Sequence, residues 1–518
     1  MTRSDLLLKR LAQVLAALLL MLPLAASADP ADITAAARGV VRVVIVQLNN
    51  GQVTPVSHGS GFAVAPERIV TNAHVVQEVQ GNPMLSIGLI PSEGGDPVYG
   101  KIVAVDSRRD LALIATTSPM HLPPLTIAGN PPTDTGTVSA LGYPMNVDQA
   151  QGLALNDIFH SQPPVRSTGA LSGRRPARDF DSLLHTAPIA RGSSGGPLLD
   201  DCGRVLGVNS FGTDSGSADA EFYFAVSTRE LLPFLHANGV TPRVNGAPCR
   251  SLADLEAQER QQSERDQLAQ QTRAAAEEQH AALRKEQLSR EAEFQILAER
   301  ESGMALSLIL LMAAMGAAGL AIHAHHTGLR HNAEVGFVLA GVAVIGAGIA
   351  WTARPGFDQI DRRLQEMVRT ETAASEPAAA SKPAEGALMC VLDPDRSRVT
   401  GSPDSDVPLQ WSAGGCVNGR TQYGLASGEW ARVLVPDDEE AVSLNRFDPA
   451  TREYRVERYL LDRATMARVR SVRAGLKAPA CGAGDQAARD LGARQAAVIS
   501  LLPPQPNERL IYKCAPGR

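Results

Sequence analysis

The stretch ARGSSGGPL, residues 190–198, decides how the rest of this 518-residue chain is interpreted. A nucleophilic serine must stand on a tight turn whose backbone N–H groups converge on the oxygen that becomes negatively charged. Gly192 can adopt backbone angles closed to other residues, and Gly195 and Gly196 leave room for an approaching substrate. A glycine-rich surface turn would use the same residues, so partners elsewhere in the chain must decide between these interpretations.

Two segments upstream supply the partners that such a serine needs. In IVTNAHVV, residues 69–76, a β-branched strand leads into His74, the candidate general base. In DSRRDLALI, residues 106–114, Asp110 opens an apolar strand and is the candidate that orients the imidazole. Alone, such a histidine is usually a core residue and such an aspartate a turn residue. Together, in the order His, Asp, Ser, they indicate a catalytic triad.

These segments resemble the trypsin-like serine peptidases, and specifically their bacterial HtrA/Deg branch. The family's Thr-Asn-x-His-Val-Val segment is matched at 71–76 and its Asp-Leu-Ala-hydrophobic segment at 110–113. Its Gly-Asn-Ser-Gly-Gly-Pro-Leu segment is matched by GSSGGPL at 192–198. Further support comes from GSGF at 59–62 and FAV at 224–226. The resemblance implies an all-β peptidase domain of two six-stranded β-barrels with the active site between them.

The resemblance also assigns roles to individual residues. Ser194 would be the nucleophile, His74 the base and then the acid, and Asp110 the residue that orients His74. The N–H groups of Gly192 and Ser194 would form the oxyanion hole, and neither a metal nor an organic cofactor is required. Digestive members carry an aspartate before the nucleophile that pairs with a newly cleaved N-terminus, whereas this chain has Ser193. We therefore expect no activation by N-terminal trimming.

Substrate preference depends on the pocket beside the nucleophile. In trypsin-like enzymes its base lies six residues before the serine, which here is Pro188 instead of an aspartate. The resemblance also puts Phe224 and Ala225 near this pocket, and a small or medium aliphatic P1 residue is the expectation. Residues 156–178 are predicted to form long loops that either arrange the oxyanion hole or are variable surface.

The N-terminus and the cysteines indicate export. Residues 1–28 have the basic start, short apolar core and small final residues of a secretory signal, so Asp29 should begin the mature chain. All six cysteines are expected in disulfides because their number is even and the compartment is oxidising. Cys202 is predicted to pair with Cys249. The other four are expected to pair among themselves with connectivity left open: Cys390, Cys416, Cys481 and Cys514.

Composition excludes some partners. The chain is 44% hydrophobic and 20% charged with a formal net charge of −6, so it has no overall basic footprint for nucleic acid. Short Val- and Ile-rich runs separated by Gly, Pro, Asn and Asp predict many strands across the peptidase domain, residues 29–244, among them 40–46, 61–64, 101–105, 111–116 and 205–209.

Beyond the peptidase domain the expected PDZ domain is missing. Residues 251–303 have helix-forming composition and predict either a solvated single-helix stalk or a coiled coil. Residues 304–322 and 335–351 are apolar and carry no charged side chain, and they are predicted to be two transmembrane helices. The intervening segment, 323–331, holds four histidines, which would form an interfacial loop or, alternatively, bind a metal.

A linker rich in Ala, Pro and Ser, residues 370–387, leads to a small α+β domain at 388–518. Its segment 411–419 faintly resembles a MORN repeat. A cleaved signal followed by a two-helix hairpin would put this domain and the peptidase on the same side, facing the periplasm from a bacterial inner membrane.

The sequence therefore predicts a membrane-anchored serine endopeptidase that acts on polypeptides among exported proteins, in quality control or regulated proteolysis. Within this class, a narrow processing peptidase with one selected substrate is the second interpretation. A catalytically inactive trypsin-like module that binds peptides or acts as an adaptor is the alternative from another class. Assembly into a homo-oligomer through the stalk or the spans is left open.

Overall fold

The computed structural model describes residues 30–49, 52–129, 135–154, 157–176, 180–213, 221–327, 329–356, 359–374, 385–401 and 406–517. The predicted signal peptide lies outside these residues, as do positions 375–384 of the predicted linker. The chain divides into two units, one of Met1–Glu259 with Lys382–Arg518 and one of Arg260–Ser381.

A closed β-barrel follows the first helix, α1 (Pro30–Ala37). Its strands are β1 (Val40–Asn49), β2 (Gln52–Ala65), β3 (Arg68–Thr71), β4 (Leu85–Pro91), β5 (Val98–Asp106) and β6 (Leu111–Thr116), closed in the order β1-β2-β3-β6-β5-β4. Helix α2 (Ala73–Val76) follows β3. Because side chains alternate along a strand, β1 puts Val41, Val43 and Ile45 into the barrel core while Val44 packs in a separate cluster.

The second barrel uses the remaining strands of the peptidase region. After β7 (Ile127–Ala128) come β8 (Gly136–Gly142), helix α3 (Met145–Ala150), β9 (Val165–Pro176), β10 (Asp181–His185), β11 (Pro197–Leu199), β12 (Val205–Gly212), β13 (Tyr223–Ser227), helix α4 (Thr228–Ala237) and β14 (Val244–Asn245). Strand β11 pairs with both β8 and β12, which closes the six strands β11-β8-β9-β10-β13-β12 into a ring. The predicted pair of six-stranded barrels is confirmed.

The prediction of long loops across residues 156–178 is wrong for its second half. Strand β9 occupies Val165–Pro176 and pairs along its length with β8 and β10. Most of its side chains are at least partly exposed and few are large and apolar, so it lacks the alternation by which strands are recognised in a sequence.

Three helices dominate the second unit: α5 (Leu252–His326), α6 (Arg330–Thr352) and α7 (Ile360–Ala374). The predicted stalk and first span are one continuous helix, α5. Helices α5 and α6 are each long and apolar enough to cross a membrane, judged by length and composition alone.

Small residues form the contact between these two helices. They recur at intervals of seven, as Ser307, Ala314 and Ala321 on α5 and as Ala333, Ala340 and Ala347 on α6, and all are buried. The Ser307 hydroxyl donates to the Ala347 carbonyl at 3.2 Å. Beyond the apolar stretches, Arg363 of α7 pairs with Glu299 of α5 at 2.9 Å. The chain segments that enter and leave the apolar hairpin therefore lie together.

The C-terminal region is an α+β domain, as predicted. Its strands are β15 (Gly386–Leu392), β16 (Val407–Ser412), β17 (Cys416–Val417), β18 (Thr421–Gln422), β19 (Gly424–Ala426), β20 (Glu429–Leu434), β21 (Ala441–Asp448), β22 (Glu453–Leu460) and β23 (Glu508–Pro516), and its helices are α8 (Arg463–Ala474) and α9 (Asp485–Ile499). The sheet order is β18-β17-β16-β15-β23-β22-β21-β20-β19. The disulfides join Cys390 to Cys514, Cys416 to Cys481 and, in the peptidase region, Cys202 to Cys249.

A buried polar contact joins this domain to the start of the peptidase region. Asp32 of α1 forms an ion pair with Arg398, and both side chains are at most 2% exposed. Asn507 donates to the Asp32 carboxylate at 2.9 Å. At a separate point, Arg463 donates to the Met120 carbonyl at 2.8 Å. The C-terminal domain is thus packed against the peptidase region within one unit.

Candidate active site

The structure brings His74 and Asp110 together at one edge of the first barrel. His74 lies in α2 just after β3, and Asp110 lies in the tight turn between β5 and β6. The His74 Nδ1 atom is 3.0 Å from each carboxylate oxygen of Asp110. Since a carboxylate only accepts, Nδ1 carries the proton and Nε2 is left with a free lone pair. His74 therefore has the tautomer of a general base.

Several contacts hold the Asp110 carboxylate and its backbone in place. Its φ of 53° is in the left-handed region, and Asn72 fixes the turn by donating to the Asp110 carbonyl at 2.9 Å. Ser210 donates to the carboxylate at 2.5 Å, as does the His74 N–H at 3.1 Å. Burial alone would raise the pKa of Asp110, but the hydrogen bonds from His74 and Ser210, with the positive charge of His74 when it is protonated, lower it overall. Asp110 therefore stays ionised opposite the imidazole.

Arg109 ties this turn to the second barrel. Its guanidinium donates to Asp106 at 2.7 Å and to Glu230 of α4 at 2.7 Å. The residue before Asp110 is therefore anchored in both barrels.

Ser194 stands on the turn that precedes β11. Gly195, at φ 87°, has no room for a side chain, because a Cβ atom there would lie 2.1 Å from the Ser60 carbonyl oxygen. The Ser60 N–H donates to the Ser194 carbonyl, and Gly195 donates to the Asn209 carbonyl, both at 2.8 Å. The turn is thus fixed to both barrels around the serine.

The Ser194 hydroxyl donates to the Ser210 carbonyl at 2.8 Å. Among the described residues it makes no hydrogen bond to His74. Ser210 therefore connects the three predicted residues, since its side chain bonds Asp110 and its carbonyl bonds Ser194. Sequence reasoning missed Ser210, which immediately follows the predicted strand 205–209; no motif separates this serine from any other serine at a strand end.

The predicted oxyanion-hole groups are free to donate. The Arg191 carbonyl accepts from the Met145 N–H at 2.7 Å, and in a trans peptide the following N–H, that of Gly192, points the opposite way. Gly192 has a φ of 96°, and a Cβ atom there would lie 2.3 Å from the Tyr143 carbonyl oxygen. Within the described ranges, the N–H groups of Gly192 and Ser194 have no protein acceptor. Two unpaired donors at one turn suit an anionic oxygen.

A cavity of about 420 Å³ lies against the segment before the nucleophile and is lined in part by Pro188, Ala190, Ser193 and Tyr223. Tyr223 donates to Glu221 at 2.5 Å, and this bond, with burial, raises the pKa of Tyr223 to about 12. Pro188, the predicted base of the substrate pocket, is one of the residues that line this cavity.

The other two predicted pocket residues lie elsewhere. Ala225 is fully buried in a core cluster of the second barrel, and it does not line the cavity. Phe224 stacks on Phe211, the residue after Ser210, with ring centroids 4.8 Å apart. Within the part of the chain that the structure describes, no three His, Cys, Asp or Glu side chains lie close enough together to hold a metal ion. This holds also for the histidines between the two apolar helices, His323, His325, His326 and His331.

Sequence comparison relates the part of the chain that holds His74, Asp110 and Ser194 to known proteins. Residues 59–208 match the family model of the trypsin-like peptidase domain. The chain is 30% identical over 239 residues to the serine protease Rv3671c of Mycobacterium tuberculosis, covering 44% of this chain and 54% of that protein. It is 31% identical over 218 residues to the mitochondrial serine protease HTRA2 of Bos taurus, covering 40% and 42%.

Among solved structures, the active form of the Rv3671c protease is 27% identical and covers 44% of this chain and 94% of that one, with a TM-score of 0.32. The chain spans about half the length of the curated relatives it matches. The motifs, the two barrels and the sequence match over residues 59–208 together identify this part of the chain as a trypsin-like peptidase domain, homologous to the HtrA-type serine proteases and to Rv3671c.

Proposed function

We propose that this chain is a membrane-anchored serine endopeptidase that hydrolyses peptide bonds of exported proteins through an acyl-enzyme intermediate. The observation that carries the proposal is the His74–Asp110 pair, which leaves Nε2 as the base and is connected through Ser210 to the turn of Ser194. The names of the homologous serine proteases support the same reaction class.

The reaction would begin when the Ser194 hydroxyl leaves the Ser210 carbonyl and passes its proton to His74 Nε2 while its oxygen attacks the substrate carbonyl. The N–H groups of Gly192 and Ser194 would bind the resulting oxyanion, each donor contributing on the order of 3 kcal/mol of transition-state stabilisation. Asp110 stabilises the imidazolium, which then protonates the departing amine. In the second half of the reaction, water attacks the acyl group while His74 accepts its proton. His74 then returns a proton to the Ser194 oxygen as the acyl group leaves.

The uncharged Pro188 supports a small or medium aliphatic P1 residue, because nothing at that position would pair with Lys or Arg. The two apolar helices, with large side chains such as Leu320 and Ile345 more than 60% exposed, support insertion in a bilayer. The Glu299–Arg363 pair supports a hairpin whose two ends face the same compartment. The predicted signal and the three disulfides support the periplasm as that compartment.

The bond from Ser194 to Ser210 specifically favours a second candidate, a non-catalytic peptide-binding or adaptor module whose serine is held away from His74. Labelling of the full chain with a fluorophosphonate separates the two, because only an activated serine reacts. We expect wild-type protein and Ser193→Ala to be labelled and Ser194→Ala to remain unlabelled. An unlabelled wild-type protein that also leaves denatured polypeptide uncut would favour the adaptor.

A further inference from the structure

A buried polar cluster lies between the two barrels, beneath the turn that carries the nucleophile. The first barrel contributes Arg42 from β1 and His58 and Ser60 from β2, and the second contributes Tyr143 and Asp148. The side chains of Arg42 and His58 are 2% and 7% exposed, and Ser60 is fully buried. The mechanism above does not use these side chains, although Ser60 lies in the GSGF motif at 59–62.

His58 and Ser60 together hold the main chain at Tyr143. The Tyr143 carbonyl accepts from His58 Nε2 at 3.1 Å, and the Tyr143 N–H donates to the Ser60 hydroxyl oxygen at 3.0 Å. Two residues later, the Met145 N–H donates to the Arg191 carbonyl. This bond fixes the Arg191–Gly192 peptide with the Gly192 N–H pointing away from Met145. Tyr143 therefore connects the first barrel to one donor of the oxyanion hole.

The same two side chains also meet the oxyanion turn directly. The Ser60 hydroxyl donates to the Gly192 carbonyl at 2.7 Å, so both peptide groups that flank Gly192 are held. A Cβ atom on Gly192 would lie 2.8 Å from His58 Nε2, which shows how closely the imidazole borders this residue. Close-packed groups transmit displacements, so a shift of His58 or Ser60 moves Gly192.

Burial and the Arg42 charge favour the neutral form of His58, while the Asp148 carboxylate opposes them. The groups that face it are Arg42, which donates to Asp148 at 3.1 Å, the other Asp148 oxygen at 3.5 Å, and the ring of Tyr143, over which the Arg42 guanidinium lies at 4.7 Å. Burial, reinforced by the Arg42 charge, lowers the pKa of His58. The neutral ring carries its proton on Nε2, because the Tyr143 carbonyl only accepts.

We propose that His58 and Ser60 are positioning residues that hold the oxyanion hole open from the first barrel, acting through Tyr143 and the Arg191–Gly192 peptide. The proposal rests on the proposed peptidase function. Neither side chain touches the substrate, so their role differs from that of the triad. Their loss should reduce the rate of the chemical step more than it changes substrate binding.

Kinetics of the full chain in detergent test this role. The variants are Ser60→Ala, His58→Phe, which removes the donor, and His58→Gln, which keeps an amide N–H. Ser57→Ala on the same strand and His236→Phe on the surface of α4 are matched controls. The measurements are kcat and KM on a peptide substrate, the rate of fluorophosphonate labelling and the thermal midpoint.

We expect Ser60→Ala and His58→Phe to lower kcat about 10- to 100-fold, less than the 10²–10³-fold lost when an oxyanion donor is itself removed. KM should change less than about threefold, His58→Gln should recover much of kcat, and both controls should match wild type. If His58→Phe does not fold, Ser60→Ala and His58→Gln decide the question.

The proposal is overturned if Ser60→Ala keeps wild-type kcat, if its loss is shared by Ser57→Ala, or if the defect is in KM. An active wild-type protein with active variants refutes only the positioning role. A wild-type protein with neither hydrolysis nor labelling refutes the proposed function and this inference with it.

Discussion

The buried ion pair between Asp32 and Arg398 should make the C-terminal domain part of the stability of the peptidase region. The change that tests this is Arg398→Met, which keeps an apolar stem of similar length but removes the charge. Asp32 would then lie in a buried site without its counter-charge. The matched control is Arg396→Met, whose ion pairs with Glu259 and Glu453 are about one quarter exposed.

The expected magnitude follows from burial. Removing one partner of a buried pair destabilises a protein by about 3–5 kcal/mol, whereas a partly exposed pair contributes about 0–1 kcal/mol. Arg398 also donates to the Arg250 carbonyl at 2.9 Å, so its removal leaves that acceptor unpaired as well. The double variant Asp32→Leu with Arg398→Met removes both charges, and we expect it to recover most of the loss.

Urea unfolding of the full chain in detergent measures the loss with two probes. Trp411 and Trp430 lie in the C-terminal domain and the peptidase domain has no tryptophan, so fluorescence reports mainly on the former. Fluorophosphonate labelling reports on the latter. If the contact couples the domains, both transitions should shift together to lower urea concentration.

Three results would refute this reasoning. Unfolding of Arg398→Met at the same urea concentration as Arg396→Met would mean that the pair contributes no more than a surface contact. The double variant could be as unstable as the single variant, so that an unpaired charge is not the cause. Finally, a shift seen by only one probe would mean that the two domains unfold independently.

Three further predictions concern other parts of the molecule. Gly195→Ala should destabilise the protein by at least about 3 kcal/mol and abolish labelling, whereas Gly239→Ala, with a similar φ of 74° but open space around it, should lose only about 1–2 kcal/mol in urea unfolding. Burial lowers the pKa of His185 to about 4, so the neutral ring is favoured in the folded state. The contribution of His185 to the free energy of unfolding should be fully present above about pH 6.5 and should fall by roughly 3 kcal/mol towards pH 4. In His185→Leu the free energy of unfolding should fall less steeply over this range. In whole cells an impermeant maleimide should label Ser302→Cys and not Thr327→Cys; the reverse pattern would contradict the proposed topology.

The candidate triad residues could be located from the sequence because they sit in motifs that combine glycines, a histidine and an aspartate in a fixed order. The roles of the supporting residues could not be predicted. Ser60 and Asn72 lie in quoted motifs and Ser210 lies in none, but all three are small polar side chains that occur in any turn or strand. Their roles depend on which strands become neighbours, and that follows from barrel closure rather than from local sequence.

The same distinction applies to the fold. Strand β6 has the bounds predicted for it, Leu111–Thr116, because its buried run is continuously apolar. Strand β9 was missed because it is polar and rich in arginine. Helix α1 was missed because its eight residues give too short a pattern, although Asp32 within it makes the buried contact with Arg398. The disulfide pairing of the last four cysteines required the sheet register that sets Cys390 opposite Cys514.

Two ion pairs bridge the two barrels, one from Arg109 to Glu230 and the other from Arg42 to Asp148. A hinge motion that widened the cleft would have to break one of these ion pairs and would expose the buried charge of Arg42. We therefore expect the barrels to behave as a single rigid block during turnover. Any signal that switches the protein on or off must then act on individual loops. One such local change would move the hydrogen bond of the Ser194 hydroxyl from the Ser210 carbonyl to His74.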